Sequence, residues 1–436
     1  MNNNKFQVIL LFVCGLAVVI AVMIFSGFIK IKSSSSKTEI TGSLTIWGTL
    51  PSAPINNVLT QMNQSNKLLT ASYVQKDPNT FIADMTEAIS NDSSPDLVMI
   101  PQSLLLSLKK RIAPIQYTQY PESTFKTTYL EGGEIFLGQE GIYALPLTID
   151  PLVMYYNRDI FANAGVVNPP VYWDEFNSLI DDIIKKSPTG NINQSLIALG
   201  TYNNIAHAKE IISSLLIQAG NPIVTLSDGK YYSVLSSVTD KKTGLNTAST
   251  VMSFFTNFSN PTNDSYSWNQ SLPNSRNMFL SGDLAVYLGF SSELFDLRKR
   301  NPNLNFAPAP LPQIRGTVRP FVYGDITGIA IINKTNNFPA STAMLFQLAS
   351  QTNALGIAQV LQLPSARRDG VNSDTKGTGY TKIFNIEAIN AHAWYDPNPN
   401  TTDNLFRSMI GNIISGRLDV STAINQTSQS LGTLLQ

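Results

Sequence analysis

The 436-residue sequence predicts an α/β fold of two lobes behind one membrane-spanning helix, and three observations carry that reading. A single long apolar run stands at the N-terminus. From Gly42 onward, short apolar runs alternate with amphipathic stretches, as layered α/β structure requires. The chain beyond that run is too long for one small core and long enough for two.

Phe6–Ile29 reads FQVILLFVCGLAVVIAVMIFSGFI, roughly 24 residues with only Gln7 and Ser26 polar, enough to cross a ~30 Å hydrocarbon layer as a helix. A cleaved signal has a shorter apolar stretch, about 7–15 residues, ending at small residues. Lipid attachment at Cys14 fails because bulky Val13 precedes it and the chain stays apolar beyond it. Residues 1–5 are therefore expected in the cytoplasm, 6–29 as a transmembrane anchor, and 30–41, with Ser33–Ser36, as a flexible linker. Lys30, Lys32 and Lys37 after the helix, against Lys5 before it, lean mildly toward the opposite orientation; long domains translocate largely regardless of such a bias.

The soluble part is read element by element. Leu44–Trp47, Ala71–Val74 and Leu97–Ile100 are the first three strands, the last stopped by Pro101. Pro54–Asn66 is a helix with proline in its first turn, and Asn79–Asn91 a helix with an Asn cap. Ile142–Leu147 and Leu152–Tyr156 are two apolar runs split by Asp150-Pro151, read as a crossing between lobes. Trp173–Lys186, His207–Ala219 and Asn246–Phe258 are helices, and Ser259–Pro273 is a surface loop. Ala285–Leu288 returns to strand, Ser291–Arg300 to helix and Thr327–Ile332 to strand. Ala340–Val360 is a helical pair, followed by terminal helices Asn404–Ile414 and Val420–Leu431.

Composition excludes several chemistries. Thirty basic and thirty acidic residues cancel, so no overall field favours nucleic acid. The one cysteine lies in the apolar run, and the only histidines are His207 and His392, which leaves no material for cysteine-based zinc sites or a histidine-rich metal cluster. No cofactor or metal is expected.

The motifs LTIWG (Leu44–Gly48), PDLVMIP (Pro95–Pro101), GIYALPLTIDPLVMYYNRDIFANAGV (Gly141–Val166) and PPVYWDEF (Pro169–Phe176) stand in a telling order. FLSGDLAVYLG (Phe279–Gly289), NFAPAPLP (Asn305–Pro312), YGDITGIAII (Tyr323–Ile332), LPSARRD (Leu363–Asp369) and Trp394-Tyr395 follow. Together they resemble the maltose-binding-protein-like class of extracellular solute-binding proteins of ABC importers. The resemblance implies a two-lobed periplasmic-binding-protein-like fold with discontinuous lobes and a hinge. Carried onto this chain, residues 41–148 plus 283–324 would form the N-terminal lobe and 149–282 plus 325–436 the C-terminal lobe. Crossings would fall near Thr148–Leu152, Gly282–Leu284 and Gly324–Gly328.

A cleft binder needs strand-end loops that converge on the ligand. The candidates are Trp47, Thr49, Gln102, Asp150, Phe290, Ser291, Tyr323, Asp325, Trp394 and Tyr395. For each a bland reading stands beside the functional one: Trp47 as core, Thr49 and Gln102 as caps, Asp150 and Asp325 as backbone partners at the crossings. His207 is read as a helix-start surface residue, His392 as a spectator, and Lys109-Lys110-Arg111 as a solvated helix end. Aromatic faces and neutral polar groups suit a carbohydrate. The resemblance thus implies a membrane-anchored, extracellular or periplasmic binder, with no catalysis, whose partners are a small solute, ABC permease subunits and the bilayer. A surface sensor or adhesion module with the same fold is the alternative, ahead of a glycosidase using Asp150 and Asp325.

Overall fold

The period-two alternation of the strands decides how the layers form. In β3 (Leu97–Pro101), Leu97 and Met99 enter one core while Val98 and Ile100 enter another on the opposite face. Both faces are covered, so the strand is apolar throughout. β1 (Gly42–Gly48) pairs in parallel with β2 (Leu69–Gln75) and with β3. The connecting helices are α1 (Ser52–Ser65) and α2 (Phe81–Ser90), whose buried stripes are Ile55, Val58, Leu59, Met62 and Phe81, Met85, Ala88. Asn79 is not the cap expected: helix α2 starts at Phe81, and the Asn79 N–H bonds the Asp77 carboxylate at 2.8 Å in the preceding turn.

The computed structural model describes residues 40–317, 319–374 and 379–436. The expected cytoplasmic residues 1–5, the anchor 6–29 and the linker up to residue 39 lie outside them. Among the described residues, no helix is long and apolar enough to cross a membrane.

Two long strands organise everything else. β4 (Leu145–Asn157) is one continuous 13-residue strand where the sequence suggested two runs around Asp150-Pro151. It pairs antiparallel with β7 (Val322–Ile332) from Leu145 to Pro151, then with β6 (Leu284–Phe290) from Leu152 to Tyr156. Pro151 stands where β4 changes partner, so its missing N–H falls where the ladder is handed over. β6 continues the sheet to β5 (Ile192–Ile197), and the order is β2-β1-β3-β7-β4-β6-β5.

This pairing runs across the expected lobe bounds. β6 lies beside β5 and the C-terminal part of β4, so residues 284–290 belong with 150–197. Thr327–Ile331 pair with β3, so the end of β7 belongs with the first strands. β5 and β6 are parallel neighbours, and the chain between them carries helices and the hairpin Val224–Ser227 with Lys230–Ser233. α4 (Phe338–Leu348) and α5 (Gln351–Leu361) follow β7 and complete the core over β1 and β2 through Met344, Leu345, Leu348, Ala354 and Ile357.

The expected helix Trp173–Lys186 is also shorter. A 3-10 turn over Trp173–Leu179 leads into Ile180–Ile183, and Lys185 then turns extended and pairs with Gln194. Gln194 Nε2 takes the Ile183 carbonyl at 2.6 Å and so serves the helix end.

Candidate functional site

The candidate site forms where β4 and β7 pass from one half of the sheet to the other. Their register sets Asp325 opposite Asp150 and Gly324 opposite Pro151. Residues directly opposite in an antiparallel pair point to the same face, so the two carboxylates stand side by side. Gly324 is required by close approach: a Cβ there would lie 2.7 Å from the Ala391 Cβ and 3.2 Å from Ile149 Cγ2.

β6 delivers the third group. Phe290 ends the strand half-buried, and buried Ser291 follows it. The Ser291 hydroxyl donates to Asp150 Oδ1 at 2.7 Å, and the Ser292 N–H donates to the same oxygen at 3.0 Å. Tyr323 closes the cluster from β7, its ring centroid 6.3 Å from that of Phe290 at a steep angle. Gln102, at the end of β3, is buried and spent on the same crossing: Nε2 donates to the Tyr323 hydroxyl at 3.0 Å, and Oε1 accepts the Ile326 N–H at 2.5 Å.

The electrostatics follow from burial. Loss of solvent pushes the Asp150 carboxyl above the usual carboxylate range, against the bonds from Ser292 and Ser291, and the nearby Glu293 charge adds to the rise. Asp325 is pushed up to about 7, first by burial, then by the charges of Asp150 and Glu210, with Lys209 opposing. The Asp325 Oδ1 is buried and has no hydrogen-bond partner.

Sequence reasoning missed His207. It adopts a left-handed conformation (φ 59°) just before α3 (Ala208–Gln218), with Nε2 2.7 Å from Glu293 Oε1 and its ring centroid 4.9 Å from that of Phe290, edge to face. Burial alone would lower its pKa; the hydrogen bond and charge of Glu293 outweigh that and hold it above the usual range. Glu293 is the hub that fixes Phe290. It accepts the Phe290 N–H at 2.9 Å, the Tyr287 hydroxyl at 2.8 Å and the Arg276 Nε–H at 2.8 Å. A histidine 86 positions from its carboxylate leaves no local signal in a sequence.

The remaining candidates lie apart from this cluster. Trp47 is half-buried on β1 with Lys76 Nζ 3.9 Å over its ring, and Thr49 follows at the strand end. Trp394 is 3% exposed, donates Nε1–H to Ser213 Oγ at 3.1 Å and packs on Phe406. Tyr395 meets Tyr231 at 4.9 Å between centroids. Lys109 is not a solvated helix end. It donates to the Tyr231 hydroxyl at 3.2 Å and lies over the Tyr143 and Tyr231 rings at 4.9 and 5.0 Å. Nor is His392 idle, since its ring packs edge-on against Phe321 at 4.8 Å. A cavity of about 650 Å³ runs along Glu131, Arg319, Phe321, His392, Trp394 and Tyr395. The strand crossing is the better site, because there the ends of several strands converge with polar groups aimed at one place.

Comparison with known proteins agrees with this geometry. Solved structures share the fold at low identity. A cyclo/maltodextrin-binding protein complexed with maltotetraose superposes with TM-score 0.70 at 14% identity, over 90% of this chain and 97% of that one. A cyclic α-maltosyl-1,6-maltose-binding protein from Arthrobacter globiformis gives 0.71 at 14%, over 91% and 99%. The GacH receptor of Streptomyces glaucescens, solved unliganded and with acarbose, gives 0.66 at 18%, over 91% and 99%. Among curated sequences, a binding protein of Brucella abortus is 29% identical over 104 residues, 23% of this chain, and the match spans only 25% of that relative's length. The fold is thus the α/β periplasmic-binding-protein-like one. The profile of the bacterial extracellular solute-binding proteins matches residues 57–375, which takes in every strand that builds the crossing, and the chain belongs to that family.

Proposed function

We propose that this protein is the substrate-binding component of an ABC importer, capturing a sugar or oligosaccharide between two lobes and passing it to a permease by hinge closure. The first lobe holds β1–β3 and their helices, the second holds β5 and β6, and β4 and β7 are the hinge strands. One observation carries the reading: Phe290 offers an aromatic face beside Asp150, Ser291 and Asp325 where both hinge strands cross. An aromatic face takes the C–H side of a sugar ring while carboxylates and hydroxyls take its hydroxyl groups. The neighbours' maltotetraose, cyclic maltosyl-maltose and acarbose support a carbohydrate. Each neutral hydrogen bond nets only ~1 kcal/mol, so several must act together.

Closure from mostly open to mostly closed requires that solute favour the closed form by ~5 kcal/mol. The apolar segment 6–29 tethers the binder outside the cell, which keeps it near the permease. Catalysis does not fit the acids present. A glycosidase sets its carboxyl groups on either side of the scissile bond, whereas Asp150 and Asp325 stand side by side in one ladder.

The test is thermal shift against mono- and oligosaccharides, amino acids and peptides, with small-angle scattering on each hit. A carbohydrate is expected to raise the melting temperature and shrink the radius of gyration. Stabilisation by a peptide or amino acid alone, or by a sugar without compaction, would overturn the reading.

A further inference from the structure

Resting on that reading of the cleft, we infer that the solute carries a positively charged nitrogen, as an amino sugar or amine-linked oligosaccharide does, and that the Asp150–Asp325 pair is its recognition site. The argument is one of missing partners. Two half-buried carboxylates stand on one face of adjacent strands, and the Asp325 Oδ1 is buried and accepts no hydrogen bond. Side by side in a poorly solvated site, both cannot ionise without a cation.

Among the described residues, the cations acting on them have carboxylate partners of their own, although His207 also feels the Asp150 charge. Lys209 Nζ is held by the Asp396 carboxylate at 3.0 Å, the Pro399 carbonyl at 3.1 Å and Thr402 Oγ1 at 3.3 Å. His207 is bound to Glu293, and Arg276 to Glu293 and Asp296. Glu210, on the first turn of α3, adds a third negative charge that raises the pKa of Asp325. On the acid side the groups acting on Asp325 are Asp150 and Glu210, and on the basic side Lys209 alone. Phe290 and Tyr323 add aromatic rings beside the acids, and such rings also attract a cation. A neutral hydroxyl would bring only a dipole to this place.

Without solute, a proton is the counterion, and burial together with the neighbouring acids pushes Asp325 up to about 7. An ammonium group takes over that role, so its binding expels the proton to solvent. Affinity for such a solute therefore rises as pH increases from 5.5 to 7.5, while affinity for a neutral sugar does not.

The experiment is isothermal titration of the full chain with matched pairs: glucosamine against glucose, and diglucosamine against cellobiose. Each titration is run at pH 5.5 and 7.5 in buffers of different ionisation enthalpy. The amine-bearing member of at least one pair is expected to bind about tenfold tighter at pH 7.5, the size of one added charge-assisted bond. It should release a fraction of a proton and lose much of its advantage at pH 5.5. Asp325→Asn should abolish the proton release while the far-UV spectrum persists; the wild-type pH dependence tests the same point without a variant. Equal or tighter binding of the neutral members, without proton release, would overturn this inference and leave the carbohydrate reading standing. Binding by no sugar of either kind would instead overturn that reading, and this inference with it.

Discussion

Glu387 offers a sharp test of how burial governs this protein. It lies on the helix Tyr380–Ile389, 2% exposed, and accepts the Leu311 N–H at 3.2 Å. Burial pushes its carboxyl up to about 8 from an ordinary 4.5, and the Leu311 bond only partly offsets this. The folded state thus keeps a proton that the unfolded chain has lost, and stability falls as pH rises from about 4.5 to about 8. Raising that carboxyl from 4.5 to about 8 corresponds to about 5 kcal/mol once both states have ionised, and to about 3 kcal/mol at pH 7. Glu387→Gln keeps an oxygen for Leu311 and removes the ionisation. Urea unfolding followed by tryptophan fluorescence from pH 4.5 to 8 should show the variant gaining on the wild type, from near parity at the acid end to about 3 kcal/mol ahead at pH 7. Parallel pH profiles for the two proteins would refute the reasoning.

Other substitutions separate binding from stability. Trp394→Ala should cost about 3–5 kcal/mol as a core truncation, measured by denaturation, while solute affinity corrected for the folded fraction stays unchanged. Phe290→Ala should do the reverse, weakening titrated affinity about tenfold or more with a smaller loss of stability, because the ring is only half-buried. Gly48→Ala would set a Cβ 2.6 Å from the Met99 carbonyl oxygen and 2.6 Å from the Tyr73 hydroxyl; the backbone cannot yield, and a loss of about 1–3 kcal/mol is expected in thermal unfolding.

Strand identity was legible in this sequence because apolar runs such as Leu97–Ile100 and Ala285–Leu288 leave a local pattern, and the structure extends them by only a few residues. Strand pairing was not. Nothing local in Leu284–Phe290 says that its neighbours are Ser195, Ile197 and Leu152–Tyr156. The site divided along the same line. Asp150, Phe290, Ser291, Tyr323, Asp325 and Gln102 sit at strand ends that pattern reveals, and they meet. Trp394 carries the same exposed-looking loop signature, yet its partners Ser213 and Phe406 come from distant helices. His207 became visible only through Glu293.

The hinge strands also set a timetable for the growing chain. Gln102 must wait 224 residues for the Ile326 amide it will bind, and β3 cannot be flanked on that side until β7 has left the ribosome. Contacts so far apart in sequence close slowly. The first strands to be synthesised are therefore among the last to be completed.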